Sequence, residues 1–191
     1  MKQQSLTEKK EIILERILPI FLVNGYDGVN MRLLKHAAQI TTGSLYYHFR
    51  DKQDIYLQAI RRYYETPLNV FYPIPPSETG IDEYWTKKIR QLVDAYEYLR
   101  SYGITANPCA ISNYIGIETS RIYPDYQDII KSYEQLNVRY WSIALRNNPE
   151  IKTNIGKNTY RTVANIYHGT FLQLCTVYPK VIMKRPNIVL K

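Results

Sequence analysis

Side chains that can hydrogen-bond phosphate and nucleobase groups are concentrated in one short segment, residues 41–52. The segment contains Thr41, Thr42, Gly43, Ser44, Tyr46, Tyr47, His48 and Lys52. Hydroxyl, phenol, imidazole and amine groups of this kind contact phosphate oxygens and read base edges in a DNA major groove. The segment therefore predicts a chain that binds DNA rather than one that catalyses a reaction.

Helix-start signals predict that a helix-turn-helix positions these side chains. Asn30, Thr41 and Asp51 are natural N-caps for a helix to about residue 38, a short third helix, and a fourth helix past residue 63. Because the third helix begins at Thr41, its free amide groups can point at a phosphate.

Apolar residues at suitable spacings would hold the two helices of this motif together across a tight turn. They are Leu34, Ala37, Ile40, Leu45 and Phe49. With these turned inward, the polar residues 42–44 and 46–48 remain for the outer face. The opposing interpretation is an ordinary amphipathic helix pair whose aromatic residues belong to a core, because short patterns of this kind also arise by chance.

The same segment resembles the TetR family of bacterial transcriptional regulators. The matching residues are Gly25, Tyr26, Leu34, Ala37, Ala38, Ile40, Thr41, residues 43–49, Asp51 and Lys52. The resemblance implies an all-α fold and DNA contacts from the segment and from the start of the second helix. The implied contacts are Thr42, Gly43, Ser44, Tyr46, Tyr47, His48 and Lys52, with Asn30 and Arg32 on the DNA backbone.

Two residues depart from the family pattern around the turn. Gln39 occupies a position where the family usually has glycine, and Lys35 replaces a small residue. A left-handed backbone at Gln39 would cost about 1 kcal/mol.

Composition excludes several other classes of protein. The 191 residues carry a net charge of +8, which favours polyanionic partners but does not separate nucleic acid from membrane. Residues 12–23 are too short and too charged to span a membrane. The two cysteines suit a reducing cytoplasm, and the three histidines have no zinc-site spacing. With no phosphate-binding loop and no nucleophile triad, we expect no metal, no cofactor and no enzyme activity.

Helical periodicity along the whole chain predicts an all-α protein with a three-helix head and a larger helical body. A first helix is expected from Ser5 to about residue 24, with a kink at Pro19. We expect a DNA-binding domain at 1–50, a connecting helix at 51–71, and an effector-binding and dimerisation domain at 72–191.

The body should contain four helices after a stiff proline-rich connection at residues 72–76. Two apolar stripes, at residues 126–144 and 160–178, are candidates for a self-complementary four-helix homodimer interface, with Gly169 allowing close approach. The alternative is that both stripes are core within one chain. In the family that the head resembles, the last two long helices usually form the dimer.

Aromatic residues of the body suggest an apolar pocket for a small-molecule effector. The candidates are Trp85, Tyr96, Tyr102, Tyr114, Tyr133, Trp141 and Phe171, with the polar residues Asn113, Glu118 and His168. The alternative is again ordinary core. A buried Glu118 would need a partner or a cationic ligand.

Cys109 is the residue of most chemical interest in the body. Asn107 and Pro108 precede it as an N-cap and a first-turn proline, so the thiol should lie at a helix N-terminus with a lowered pKa. Cys109 and Asn113 resemble the spacing in electrophile-sensing relatives, although a plain buried thiol is the alternative.

These observations predict a homodimeric TetR-type regulator, a repressor that binds palindromic double-stranded operator DNA and is released by an unknown small molecule. Two alternatives remain at this point. One is an electrophile or redox sensor that acts through Cys109, and the other is a ligand-binding protein of the same fold that has lost operator recognition.

Overall fold

A computed structural model describes residues 2–76, 78, 80–148 and 156–177, and these form eight α-helices without a strand. The helices are α1 (Lys2–Asn24), α2 (Met31–Ala38), α3 (Thr42–His48), α4 (Lys52–Tyr64), α5 (Ile81–Ser101), α6 (Pro108–Ile122), α7 (Tyr126–Asn147) and α8 (Lys157–Val177). The predicted all-α class, with a helix-turn-helix head and a larger helical body, is confirmed.

The three predicted N-caps of the head are present as hydrogen bonds. Asn30 accepts from the amide of Leu33 at 2.9 Å, and Thr41 accepts from the amide of Ser44 at 3.1 Å. Asp51 caps α4 in the same way, through the amide three residues on, at 2.7 Å. Each cap satisfies an amide that the first turn of a helix leaves without a partner.

The predicted start of α1 is wrong, because the helix begins at Lys2 and already includes Ser5. α1 continues through Pro19 as one helix to Asn24. Gly25 then ends it with a φ of +66°, a left-handed conformation that suits glycine.

The predicted apolar anchors fix α3 against α2. Leu34, Leu45 and Phe49 are buried, whereas Ala37 and Ile40 are half-buried. Arg16 of α1 donates to the carbonyl of Ala38 at 3.0 Å and so closes the end of α2. The short α3 is therefore stabilised from behind by packing rather than by its own length, which is too small for an isolated helix.

The turn between α2 and α3 has the left-handed conformation expected for it. Gln39 has φ 57° and ψ 43°, and it is the single described non-glycine residue with positive φ. Glycine would adopt this conformation without the steric clash of a Cβ atom.

We expect Gln39→Gly to raise the free energy of unfolding by about 0.5–1 kcal/mol, because relief of backbone strain exceeds the added entropy of the unfolded chain. Urea denaturation measures the change. Gln53→Gly, on exposed helical surface of α4, is the matched control and should lower stability by about 1 kcal/mol. If both variants lowered the free energy of unfolding by the same amount, backbone strain at Gln39 would be contradicted.

The head and body share a continuous apolar core. Residues of α1, α2, α3 and α4 pack in one buried cluster with Leu99 of α5, Ile111 and Ile115 of α6, and Tyr126 of α7. A second cluster joins α5, α7 and α8. Because the first cluster continues from the head into α6, a displacement of α6 would also displace residues of the head.

The apolar stripes of α7 and α8 pack mainly within the chain. Ala144 of the α7 stripe and Ala164 and Phe171 of the α8 stripe are completely buried in the second cluster. Five of the seven α7 stripe residues, Leu136 among them, are half-buried. The stripes therefore contribute to the core of one chain, as in the alternative interpretation, without being wholly covered by it. Tyr178, the last residue assigned to the α8 stripe, lies outside the described residues.

Candidate DNA interface and body cavity

The outward face of α3 carries the side chains that the sequence selects for DNA contact. Tyr46 is 53% exposed and Tyr47 is 71% exposed. Thr42 and Gly43 are also exposed, and a Cβ atom added at Gly43 would meet nothing within 4 Å. Both phenol rings are therefore accessible to a partner, while Leu45 is buried behind them.

Several of the other selected residues have structural partners as well. The side-chain oxygens of Asn30 and Thr41 already accept cap hydrogen bonds. Ser44 and His48 are half-buried, whereas Arg32 at the start of α2 is exposed. Asn30 and Thr41 keep N–H or O–H groups that can still donate to phosphate.

Lys52 has a structural role in the head that the sequence does not indicate. Its Nζ donates to the carbonyls of Tyr26 at 3.0 Å and Val29 at 2.9 Å, and it lies 4.0 Å from the centroid of the Tyr26 ring. Lys52 therefore ties the loop between α1 and α2 to α4. An ammonium group has three donors, so a third N–H remains for a phosphate oxygen.

Three cations near α3 were not selected from the sequence. Lys10 of α1 lies 5.1 Å from the centroid of the Phe49 ring. Burial, then Lys10 and Lys9, hold the pKa of His48 below its usual range. Arg50 follows α3 directly and has an 86% exposed side chain. Adjacency to the motif could have identified Arg50, whereas the position of Lys10 depends on how α1 crosses α3.

Helix α6 connects the head to the body through buried hydroxyl groups. Glu118 accepts hydrogen bonds from Tyr56 of α4 at 3.1 Å and from Tyr114 at 3.3 Å, and Tyr56 also contacts the hydroxyl of Thr119 at 2.9 Å. Glu118 thus has the partners that a buried carboxylate needs. Glu118 and Tyr114, expected at a ligand pocket, instead lie at the junction with the head.

The loop after α1 packs against α6 at Gly25. A Cβ atom there would clash with the hydroxyl of Tyr114 and lie 2.6 Å from Glu118 Oε1. Nearby, Arg121 of α6 forms an ion pair with Asp27 at 2.6 Å. A larger residue at position 25 would have to displace both side chains and would also be strained by the left-handed backbone.

A cavity of about 260 Å³ lies among α6, α7 and α8, with Tyr64 of α4 and Phe71 at its wall. Its polar lining is Cys109, Ser112, Asn113, Glu134, Asn137 and His168. Four residues selected from the sequence therefore line it, namely Cys109, Asn113, Tyr133 and His168. This volume suits a small ligand, near the lower end of the usual range of binding pockets.

The other aromatic residues selected for the pocket do not line this cavity. Trp141 stacks on Tyr167 with ring centroids 5.7 Å apart, and it also contacts Trp85 and Phe171. Tyr96 is buried, and Tyr102 packs edge-on against Tyr98. These residues lie in the two apolar clusters because the helical spacing that predicts a pocket wall also predicts core.

A buried lysine near the cavity was not found from the sequence. Lys88 of α5 donates to Gln91 Oε1 at 2.5 Å and Asn137 Oδ1 at 3.4 Å, and also to the carbonyls of Val70 and Tyr72. Burial lowers its pKa to about 7, and Cys175 and Cys109 act in the opposite direction. Lys88 lies four residues after Tyr84 and four before Leu92. This helical spacing could have predicted that Lys88 lies on the buried face of α5.

Cys109 has the predicted position but not the predicted chemistry. Asn107 accepts from the amide of Cys109 at 2.8 Å, with Pro108 in the first turn of α6. However, the thiol is buried, and its hydrogen bond with Cys175 together with burial raises its pKa. The expectation of a lowered pKa is wrong because these two effects exceed the influence of the helix N-terminus.

We expect Cys109 to react with iodoacetamide at pH 7.5 at least about tenfold more slowly than glutathione, because a buried thiol with a raised pKa has little thiolate. Cys175 should also react more slowly than glutathione, because its thiol is buried away from the reagent. Alkylation followed by mass spectrometry measures both rates, and the same reaction in urea is the control for intrinsic reactivity. Alkylation of Cys109 in the folded protein as fast as that of glutathione would contradict the burial.

The described residues contain neither a group of three or more side chains suited to hold a metal ion nor a helix long and apolar enough to cross a membrane.

Comparisons with known proteins agree with the geometry of the head. Residues 13–59 match the family model described as bacterial regulatory proteins, tetR family. The chain is 23% identical over 132 residues to the biofilm operon icaADBC negative transcriptional regulator IcaR of Staphylococcus epidermidis. That match covers 68% of this chain and 71% of IcaR.

Solved structures share the fold over most of both chains. A transcriptional regulator of the TerR/AcrR family from Aquifex aeolicus is 19% identical, with a TM-score of 0.55 over 87% of this chain and 84% of that chain. AibR, in complex with isovaleryl coenzyme A and operator DNA, is 16% identical, with a TM-score of 0.54 over 87% of this chain and 85% of that chain. These similarities extend the match from the head to the helical body.

Proposed function

We propose that this chain, which belongs to the TetR family of bacterial transcriptional regulators, is a repressor that binds a palindromic operator as a homodimer and leaves it when a small molecule enters the body. The observation that carries the proposal is the exposed face of α3, with Tyr46 and Tyr47 outward and Leu45 buried behind them. Residues 1–50 would bind DNA, 51–71 would connect, and 72–191 would bind the effector and the second copy.

The dimensions of α3 suit a major groove. An α-helix with its side chains is about 10–12 Å across, and the major groove is about 12 Å wide. The seven residues of α3 would lie along about 10 Å of the groove. Thr42, Gly43, Ser44 and Tyr47 would face base edges. The phosphate contacts would come from Asn30, Arg32, Thr41, Tyr46, His48 and the remaining N–H of Lys52, with Lys10 and Arg50 adding positive charge.

The outward face of α8 supports a homodimer. Ile166 is 61% exposed, and a Cβ atom added at the exposed Gly169 would meet nothing within 4 Å. The exposed residues at positions 162–173 include no charged side chain; they are Thr162, Asn165, Ile166, Gly169, Thr170 and Gln173. Depletion of charge around an exposed apolar residue is typical of the centre of a protein interface. The second copy would thus contact this face rather than the buried stripe.

Contacts between α6 and α4 support coupling of the body cavity to the head. Ser112 and Tyr64 both line the cavity; Tyr64 donates to the carbonyl of Ser112 at 2.6 Å, and Tyr63 contacts its hydroxyl at 2.7 Å. A Cβ atom at Gly116 would lie 2.5 Å from the Tyr64 hydroxyl. A ligand that displaces α6 would therefore displace α4. Three residues separate α4 from α3, so this movement would change the separation of the two heads.

Repression is favoured by what the relatives are described to do. IcaR is described as a negative regulator, and AibR as a complex with both an acyl coenzyme A and operator DNA. The burial of the Cys109 thiol and its raised pKa argue against the electrophile-sensing alternative.

Selection of bound duplexes from a random-sequence pool tests the proposal. We expect a two-fold symmetric consensus whose half-site centres are about one or more helical turns apart, and two protomers or a multiple of two on each duplex by native mass spectrometry. Failure to enrich any consensus, or a single protomer on each duplex, would contradict it.

A further inference from the structure

His168 lines the body cavity and carries a buried nitrogen that has no partner among the described residues. The residue is 8% exposed and lines the cavity, and its Nδ1 has no hydrogen-bond partner among the described residues. A buried imidazole nitrogen without a partner is costly, so a ligand that supplies the missing hydrogen bond would be stabilised there.

Lys88 places a positive charge behind the same wall. It is 1% exposed, and its Nζ reaches the cavity-lining Asn137. All of its hydrogen-bond partners in the described part of the chain are neutral oxygens, and no carboxylate there forms an ion pair with it. Burial and, to a smaller extent, the Lys88 charge lower the pKa of His168, so the two groups interact electrostatically.

The rest of the lining is largely apolar and leaves one location for an anion. Phe71, Ile117, Ile130 and Leu172 supply hydrocarbon surface. The single acid of the lining is Glu134, which is exposed. An anionic group would therefore be repelled by Glu134 and attracted towards the buried side of the cavity, where His168 and Lys88 lie.

We propose that the effector site takes a small carboxylic acid, with its carboxylate accepting a hydrogen bond from His168 close to Lys88 and its hydrocarbon chain against Phe71, Ile117 and Ile130. This rests on the proposed function only in calling the ligand an effector. A primary amine would be repelled by Lys88, and an alcohol would satisfy His168 while leaving the lysine charge without a counter-ion. The carboxylate satisfies both groups.

Isothermal titration of the full chain at pH 6.5, without DNA, tests the ligand class with three matched series. The probes are the straight-chain carboxylates, alcohols and amines of four, six and eight carbons. We expect the best carboxylate to bind at least about tenfold more tightly than the alcohol of equal length, and the amine to bind more weakly than either. Equal affinities, tighter binding of the amines, or binding by none of the probes would overturn the proposal.

Substitutions at Lys88 and His168 test whether these two residues cause the preference for carboxylates. Lys88→Met should abolish the carboxylate-over-alcohol preference, whereas Lys87→Met should retain it. Lys87 lies one residue earlier and, in the part of the chain that the structure describes, donates to the carbonyl of Pro75. His168→Leu provides the same test should Lys88→Met fail to fold. Retention of the full preference in the folded Lys88 or His168 variants would overturn the assignment.

Operator release is measured separately, by adding the best carboxylate to the DNA complex. Tight carboxylate binding without release would leave the ligand class standing and reject the proposed effector response. Release by a different chemical class, with no carboxylate preference, would reject the ligand class and leave the regulator function standing.

Discussion

Replacing Tyr46 and Tyr47 together by alanine is expected to weaken binding to the selected operator by a factor of about 10² to 10⁴, from about 1–3 kcal/mol for each DNA contact. Both rings are exposed on α3, so their removal should cost the head little stability. Fluorescence anisotropy at fixed salt measures the affinity, and thermal melting measures the stability.

An exposed apolar residue of the head outside α3 provides the control for this double variant. Val23 of α1 is 60% exposed, and Val23→Ala should change operator affinity by no more than about threefold. An equal loss of affinity in the double variant and in Val23→Ala, or no loss in either, would reject α3 as the reading helix.

The free energy of unfolding is expected to rise by about 2–3 kcal/mol between pH 7 and pH 9 because of Lys88. Burial lowers the pKa of this amine from 10.5 to about 7 in the folded chain. Between these values the unfolded chain binds a proton that the folded chain has released, so stability increases with pH by about 1.4 kcal/mol per unit. Urea denaturation at several pH values measures the slope.

Two neighbouring lysines separate this effect from the general pH dependence of the protein. Lys88→Met should flatten the slope, and Lys87→Met should keep the wild-type slope. Identical slopes in the wild type and Lys88→Met would show that Lys88 does not titrate in the folded protein as its burial requires.

The helix-turn-helix could be predicted from the sequence because its determinants are local. Asn30, Thr41 and Asp51 each cap a helix through an amide three residues away, and Leu34 and Leu45 lie on adjacent helices joined by a short turn. Spacing within about 15 residues is enough to place such groups. The left-handed turn at Gln39 followed instead from the resemblance to a family that usually has glycine at this position.

The body site could not be predicted in the same way because its determinants are distant in sequence. Lys88 meets Asn137 across 49 residues, and Tyr56 meets Glu118 across 62. An aromatic residue at helical spacing has the same pattern whether it lines a cavity or fills a core, so the sequence could not decide between the two for Trp141 and Phe171, which lie in the core. Likewise, the contacts of Lys52 with the carbonyls of Tyr26 and Val29 depend on how α4 meets the loop after α1.

The ratio of affinities for the selected palindromic duplex and for a scrambled duplex of the same composition tests sequence recognition by α3 most directly. At a fixed salt concentration of about 150 mM, we expect the wild-type protein to prefer the palindrome by at least about 10³. The Tyr46 and Tyr47 double variant should lose most of that preference. A ratio near one for the wild-type protein would contradict operator recognition by this helix.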